Sequence, residues 1–143
     1  MNDTELLAAI GRIVVSAALL EYSVAELVAV TGGLRDDGAR QDRAVEIVRV
    51  PGKAMRLFER IAEQRPELGW LRREIRTMLG ARHCVAPSVA QQDAVAAGRP
   101  ALFVLQPRHG ETMITTELAR NNARMIREGV GWIQDAIAEE IAR

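Results

Sequence analysis

ELGWLRREIRTMLGARHCVA, running from Glu67 to Ala86, is the stretch whose reading decides the fold. Its apolar residues Leu68, Leu71, Ile75, Met78, Leu79, Val85 and Ala86 recur at helical spacing. Turned through about 100° per residue, they form one stripe. Arg82 falls near the centre of that stripe, where a leucine would ordinarily stand. The apolar run from Leu6 to Val30 holds the mirror case. Its polar residues Glu5, Arg12, Ser16, Ser23 and Glu26 share one narrow face, while Glu21 points to the opposite side among Ile10, Val14, Ala17, Ala25 and Val28. An unpaired charge inside a helical bundle costs several kcal/mol, so Glu21 and Arg82 are expected to meet.

Outward from that stretch the chain reads as further helices. Asn2, Asp3 or Thr4 can cap the first, which runs to about Val30 and stops at Thr31-Gly32-Gly33. A second is expected from about Ala39 to Val50, with Ala44, Ile47 and Val48 inward. Pro51-Gly52 interrupts it, as a kink or as a short turn. Lys53 to Gln64 continues helically with Met55, Leu57, Phe58 and Ile61 inward, and Pro66 suits the first turn of the Arg82 helix. Pro87 ends that helix. Ala101 to Leu105, between Pro100 and Pro107, reads as a short extended segment, followed by a turn from Gln106 to Glu111. Thr115 or Thr116 caps a last long helix with Leu118, Met125, Trp132, Ile133, Ala136 and Ile137 inward. The expected architecture is all-α: one domain over residues 1–143, an antiparallel bundle of four to five helices with an extended segment near 101–105.

Composition narrows the functional classes. With 19 basic and 19 acidic residues the formal net charge is zero, so nothing pulls the whole chain toward nucleic acid or membrane. Any RNA contact has to come from a local patch. Eighteen arginines against the single Lys53 are read as a compositional bias, not as design for phosphate. The one cysteine, Cys84, excludes an internal disulfide and suits a reducing, cytoplasmic setting. Arg12, Glu21 and Glu26 interrupt the first apolar run, which reads as a buried helix and not a membrane span. No Cys-x-x-Cys, phosphate loop or His-Glu-x-x-His is present, and neither a metal nor a cofactor is expected.

The plainest reading of Glu21 and Arg82 is a structural ion pair that fixes helix register. Asn122 falls on the apolar side of the last helix, where it joins that pair or fixes pairing at a helix interface. His83 lies about 100° around the helix from Arg82, on the side of Arg72 and Arg76. That side is either a solvated face or a groove in which Arg72 and Arg76 are candidate phosphate contacts, with Glu59, Glu63, Glu67 and Glu74 close in sequence offsetting their charge.

Leu79-Gly80-Ala81-Arg82-His83-Cys84-Val85-Ala86-Pro87-Ser88 resembles the signature region of HEPN-domain proteins, small helical bundles that include metal-independent endoribonucleases of toxin–antitoxin and phage-defence systems. Arg82 matches the family's arginine and His83 the polar residue after it, while Gly11-Arg12 and Leu20-Glu21-Tyr22 resemble members that set an acidic residue opposite that arginine. The resemblance implies a homodimer with two arginine motifs at a shared cleft. It also implies, for a nuclease, catalytic roles for Arg82 as a phosphoryl clamp and for a histidine as proton shuttle. The chain departs from the motif at the histidine: positions 87 to 89 are Pro87, Ser88 and Val89. The expectation is therefore a non-catalytic or weakly active binding or regulatory bundle, with RNA or a cognate protein as partner. The alternatives are a metal-independent endoribonuclease using Arg82, with His83 or a histidine brought from elsewhere, and a small-molecule sensor with Arg82 in its pocket.

Overall fold

The computed structural model describes the backbone of residues 3–85, 102–106, 110–114 and 116–143, and side chains at 4–78, 117 and 119–143. Five α-helices account for most of it: α1 (Asp3–Thr31), α2 (Asp37–Val48), α3 (Lys53–Gln64), α4 (Gly69–Val85) and α5 (Thr116–Ala142). A single 3-10 turn, Pro66–Leu68, leads into α4, and a hairpin of β1 (Leu102–Gln106) and β2 (Gly110–Ile114) precedes α5. The protein is an all-α helical bundle, with one small hairpin among the described residues.

Local chemistry explains the helix ends. Gly33 takes a left-handed φ of 99°. The Gly33 N–H then donates to the Val30 carbonyl at 3.0 Å and the Leu34 N–H to the Ala29 carbonyl at 3.1 Å, a paired closure that satisfies the last carbonyls of α1. The Asp36 side chain accepts from the Ala39 N–H at 3.0 Å, which starts α2 two residues before the sequence-based boundary. Pro51-Gly52 forms a short turn, not a kink, with Gly52 at φ 75° opening α3. Pro66 fills the first position of the 3-10 turn, where its missing N–H leaves nothing unsatisfied.

The hairpin revises the sequence reading. β1 occupies the expected extended segment, but Gly110 to Ile114 is a paired strand and not the end of a turn. Leu102 faces Ile114, Val104 faces Thr112 and Gln106 faces Gly110 in an antiparallel register. A lone strand leaves its N–H and C=O groups unpaired, and β2 supplies their partners.

The contacts divide the chain into two compact units, residues 1–17 with 77–126, and residues 18–76 with 127–143. In the first, Leu6, Ala9, Ile13, Ala17, Met78, Ala119, Ala123 and Ile126 are buried. In the second, the largest fully buried side chains are Phe58, Leu20, Leu27, Ile47, Leu71, Ile75, Ile133 and Val24, each contributing about 1.5–3 kcal/mol by leaving water. Of the expected stripe, Leu68 in the 3-10 turn and Leu71, Ile75 and Met78 on α4 are buried, while the side chains of Leu79, Arg82, Val85 and Ala86 lie outside the described residues. On α5 the deepest line is Ala119, Ala123, Ile126, Val130, Ile133 and Ile137; Met125, Trp132 and Ala136, expected inward, are half-buried.

The faces of α1 need the larger correction. Ser16 and Ser23, assigned to a polar outer face, are 6% and 4% exposed, whereas Val14, on the side assigned to the core, is 51% exposed. The inward line instead runs through Leu6, Ala9, Ile13, Leu20, Val24 and Leu27. Small hydroxyls are tolerated in a helix–helix seam because they can bond back to their own helix, so polarity alone misassigned the face.

Candidate anion-binding cleft

Three neighbouring elements of the second unit frame a cleft of about 510 Å³. The end of α1 supplies Val28, Ala29 and Thr31, the following turn Gly32 and Leu34, and α2 supplies Arg43. Leu57, Arg60, Ile61 and Gln64 stand at helical spacing on α3, so one face of that helix forms a wall, and Arg65 follows. The adjacent face carries the buried Ala54, Phe58 and Ala62, which anchor α3 and set the direction of that wall.

The lining holds three guanidinium groups and no carboxylate. Arg43 reaches Glu46 at 3.1 Å in an exposed pair. Arg65 is held by Glu67 at 2.8 Å and Glu140 at 2.5 Å, and these hydrogen bonds, the one to Glu140 first, keep its pKa above the ordinary arginine value. Arg60 has no ion pair among the described residues. The Thr31 hydroxyl donates to the Val28 carbonyl at 2.9 Å and so caps the helix. Val28, Leu34, Leu57 and Ile61 give the cleft an apolar wall. A planar guanidinium fork beside such a wall suits a ligand with an anionic head and an apolar body.

A second polar cluster is structural. Arg40 is 8% exposed. Its Nη2 meets Asp37 at 2.8 Å, its Nε meets Glu26 at 3.3 Å, and its Nη1 donates to the Arg35 carbonyl at 3.3 Å. Burial by itself would lower the Arg40 pKa, but the bonds to Asp37 and Glu26 outweigh it and hold the value above the ordinary one. Burial, then the Glu26 charge and a hydrogen bond to Glu26, raise the Tyr22 phenol above its ordinary value.

The residues singled out from the sequence fare unevenly. The backbone of Arg82 and His83 lies on α4, but their side chains, and with them the Glu21–Arg82 pair, lie outside the described residues. So do Cys84, Pro87, Ser88, Val89 and His109. Glu21 is half-buried on α1 and Asn122 half-buried on α5. Arg76 bonds Glu59 through Nε and Nη2, while the Arg72 Nε is buried with no hydrogen-bond partner among the described residues. Asn121 accepts from Arg124 at 2.6 Å. Sequence reasoning missed Arg40, Glu26, Arg43, Arg60 and Arg65. For Arg40 a signal existed: with Ala44 and Ile47 it forms the same arginine-in-an-apolar-stripe pattern that drew attention to Arg82.

Among the described residues no group of three His, Cys, Asp or Glu side chains can hold a metal ion. No family model, no curated protein and no solved structure matches this chain.

Proposed function

We propose that this chain is a cytosolic, HEPN-like binding or regulatory bundle that takes a small molecule bearing a phosphate or carboxylate in the arginine-lined cleft. One observation carries the reading: Arg43, Arg60 and Arg65 share a cleft of about 510 Å³ with Leu57 and Ile61, and no carboxylate lines it. The cleft volume falls in the range of small-molecule sites, and Arg60 is the lining guanidinium with no ion pair among the described residues. Binding there requires no proton shuttle, which accords with Pro87, Ser88 and Val89 standing where the HEPN motif has its histidine. The protein is proposed to act as a homodimer, with RNA or a cognate protein as the partner its ligand regulates.

Thermal denaturation against a panel of nucleotides, sugar phosphates and carboxylic acids tests the reading. At least one anionic ligand is expected to raise the midpoint, and Arg60→Ala, at an exposed position, is expected to abolish the shift while the apo midpoint stays near wild type. A panel that leaves the midpoint unmoved, or a shift retained in Arg60→Ala, removes the assignment.

A further inference from the structure

Both tryptophans of the chain line one cleft of about 290 Å³ in the second unit, distinct from the arginine-lined one. Trp70, at the start of α4, and Trp132, on α5, meet edge to face with ring centroids 6.0 Å apart and planes at 63°. In that geometry the edge of one ring meets a face of the other, so the pair occupies one ring face and leaves the remaining faces clear of each other. Trp70 is 48% exposed, a large aromatic surface left in water, and the buried Leu68 and Leu71 line the same cleft.

The charges around the rings are unbalanced. Arg65 is engaged by Glu67 and Glu140, and Arg143 also reaches Glu140, at 3.6 Å, so those two cations and two carboxylates offset one another. Asp135 and Glu139 remain. They follow Trp132 by three and seven residues, share its side of α5, line the cleft, and have no ion pair among the described residues. The cleft therefore combines indole surface with two carboxylates that have no ion pair among the described residues.

We infer that this cleft binds a small organic cation, an alkylammonium or quaternary ammonium head group. Such a cation is attracted to a tryptophan face by the ring quadrupole, most strongly of the aromatic side chains, and its apolar substituents match the indole surface where a hydrated metal ion would not. The carboxylates Asp135 and Glu139 set the sign of the ligand. A volume of about 290 Å³ sits at the low end of ligand sites and limits the occupant to a few carbons around the charge.

Because the cleft contains every tryptophan, the intrinsic fluorescence of the intact protein reads it directly. Tetramethylammonium chloride is titrated against sodium chloride at matched ionic strength. A saturable change is expected with the organic cation alone. The Asp135→Asn, Glu139→Gln double variant is expected to weaken the apparent affinity at least about tenfold, and Trp70→Phe, which keeps an aromatic face, to retain binding. Both carboxylates are exposed, so the double variant is expected to keep its far-ultraviolet circular dichroism and thermal midpoint. A response identical to that of sodium chloride, or one unchanged in the double variant, overturns the inference.

Discussion

Arg65 donates to Glu140 at 2.5 Å across 75 residues of sequence and so ties the link between α3 and α4 to the last helix. The two side chains are 22% and 13% exposed, well enough shielded for the pair to matter. Arg65 borders both clefts of the second unit, one lined by arginines and one by tryptophans. It is therefore held in place by carboxylates on one side while its charge contributes to the other. The same unit is also fastened by Arg35, whose Nη1 donates to the Arg143 carbonyl at 3.0 Å.

Acid loosens this tie. The hydrogen bond from Arg65, more than any other influence, holds the Glu140 carboxyl below its ordinary pKa of 4.5. A depressed carboxylate stabilises the fold fully above its unfolded pKa and loses that contribution as pH falls through the folded value. Glu140→Gln is expected to cost about 1–3 kcal/mol at neutral pH and to flatten the loss of stability below pH 4.5. Urea midpoints measured from neutral to acidic pH check both parts. An unchanged acid limb in the variant shows the pair to be inert.

Tyr22 reports the Arg40 cluster at the alkaline end. It is the single tyrosine, so ultraviolet absorbance follows its ionisation without interference from another phenol. Its folded pKa lies above 10.0, raised first by burial and then by Glu26. The stability that this shift contributes is complete below the unfolded pKa and disappears as pH rises through the folded one. Glu26→Gln is expected to bring the titration down toward the ordinary value. Arg40→Ala, which leaves Glu26 partly shielded and unpaired, is expected to cost about 2–4 kcal/mol. A tyrosine titration indifferent to Glu26→Gln contradicts the cluster.

These two clusters mark where the sequence was legible and where it was not. The first half of the apolar stripe, from Leu68 to Met78, the glycine stop after Thr31 and the break at Pro51-Gly52 each follow from a local rule, and each stands where it was read. The side of α1 that faces inward does not follow from a local rule. Ser16 and Ser23 stand among valines, alanines and leucines on a helix so apolar that periodicity gives a weak direction, and neighbouring helices decide it. β2 was missed because a five-residue strand is defined by its partner, not by its own pattern. The clefts are assembled from residues on several elements, and no spacing within one element announces them.

The proposed HEPN-like reading gives a chemical prediction. Arg82 and His83 are adjacent on α4, and no histidine stands at positions 87 to 89 to take the proton from a ribose hydroxyl. RNA incubated with excess protein in chelator is expected to stay intact. Pro87→His, which places an imidazole at a motif position, is expected to gain measurable cleavage that Arg82→Ala then removes. Efficient cleavage by the wild-type protein, lost in Arg82→Ala, establishes the endoribonuclease alternative in place of the binding role.

The outer face of α1 bears on assembly. Leu7 is 47% exposed, Val14 51%, Val15 70% and Leu19 46%, whereas Ser16 and Ser23 on the same helix are turned inward. An exposed arc this apolar, broken only by Arg12 at its flank, is a surface that a soluble protein ordinarily covers. By length and composition Thr4–Thr31 is also long and apolar enough to cross a membrane, with 56% of its most apolar window buried inside the protein. The proposed homodimer accounts for the remaining exposed face. Val15→Glu then sets two carboxylates against each other and is expected to convert a dimer to monomer in light-scattering measurements while the helical content holds. Wild-type protein that is monomeric at all concentrations refutes self-association. Partition of the wild type, but not of Val15→Glu, onto lipid vesicles assigns the face to a bilayer instead.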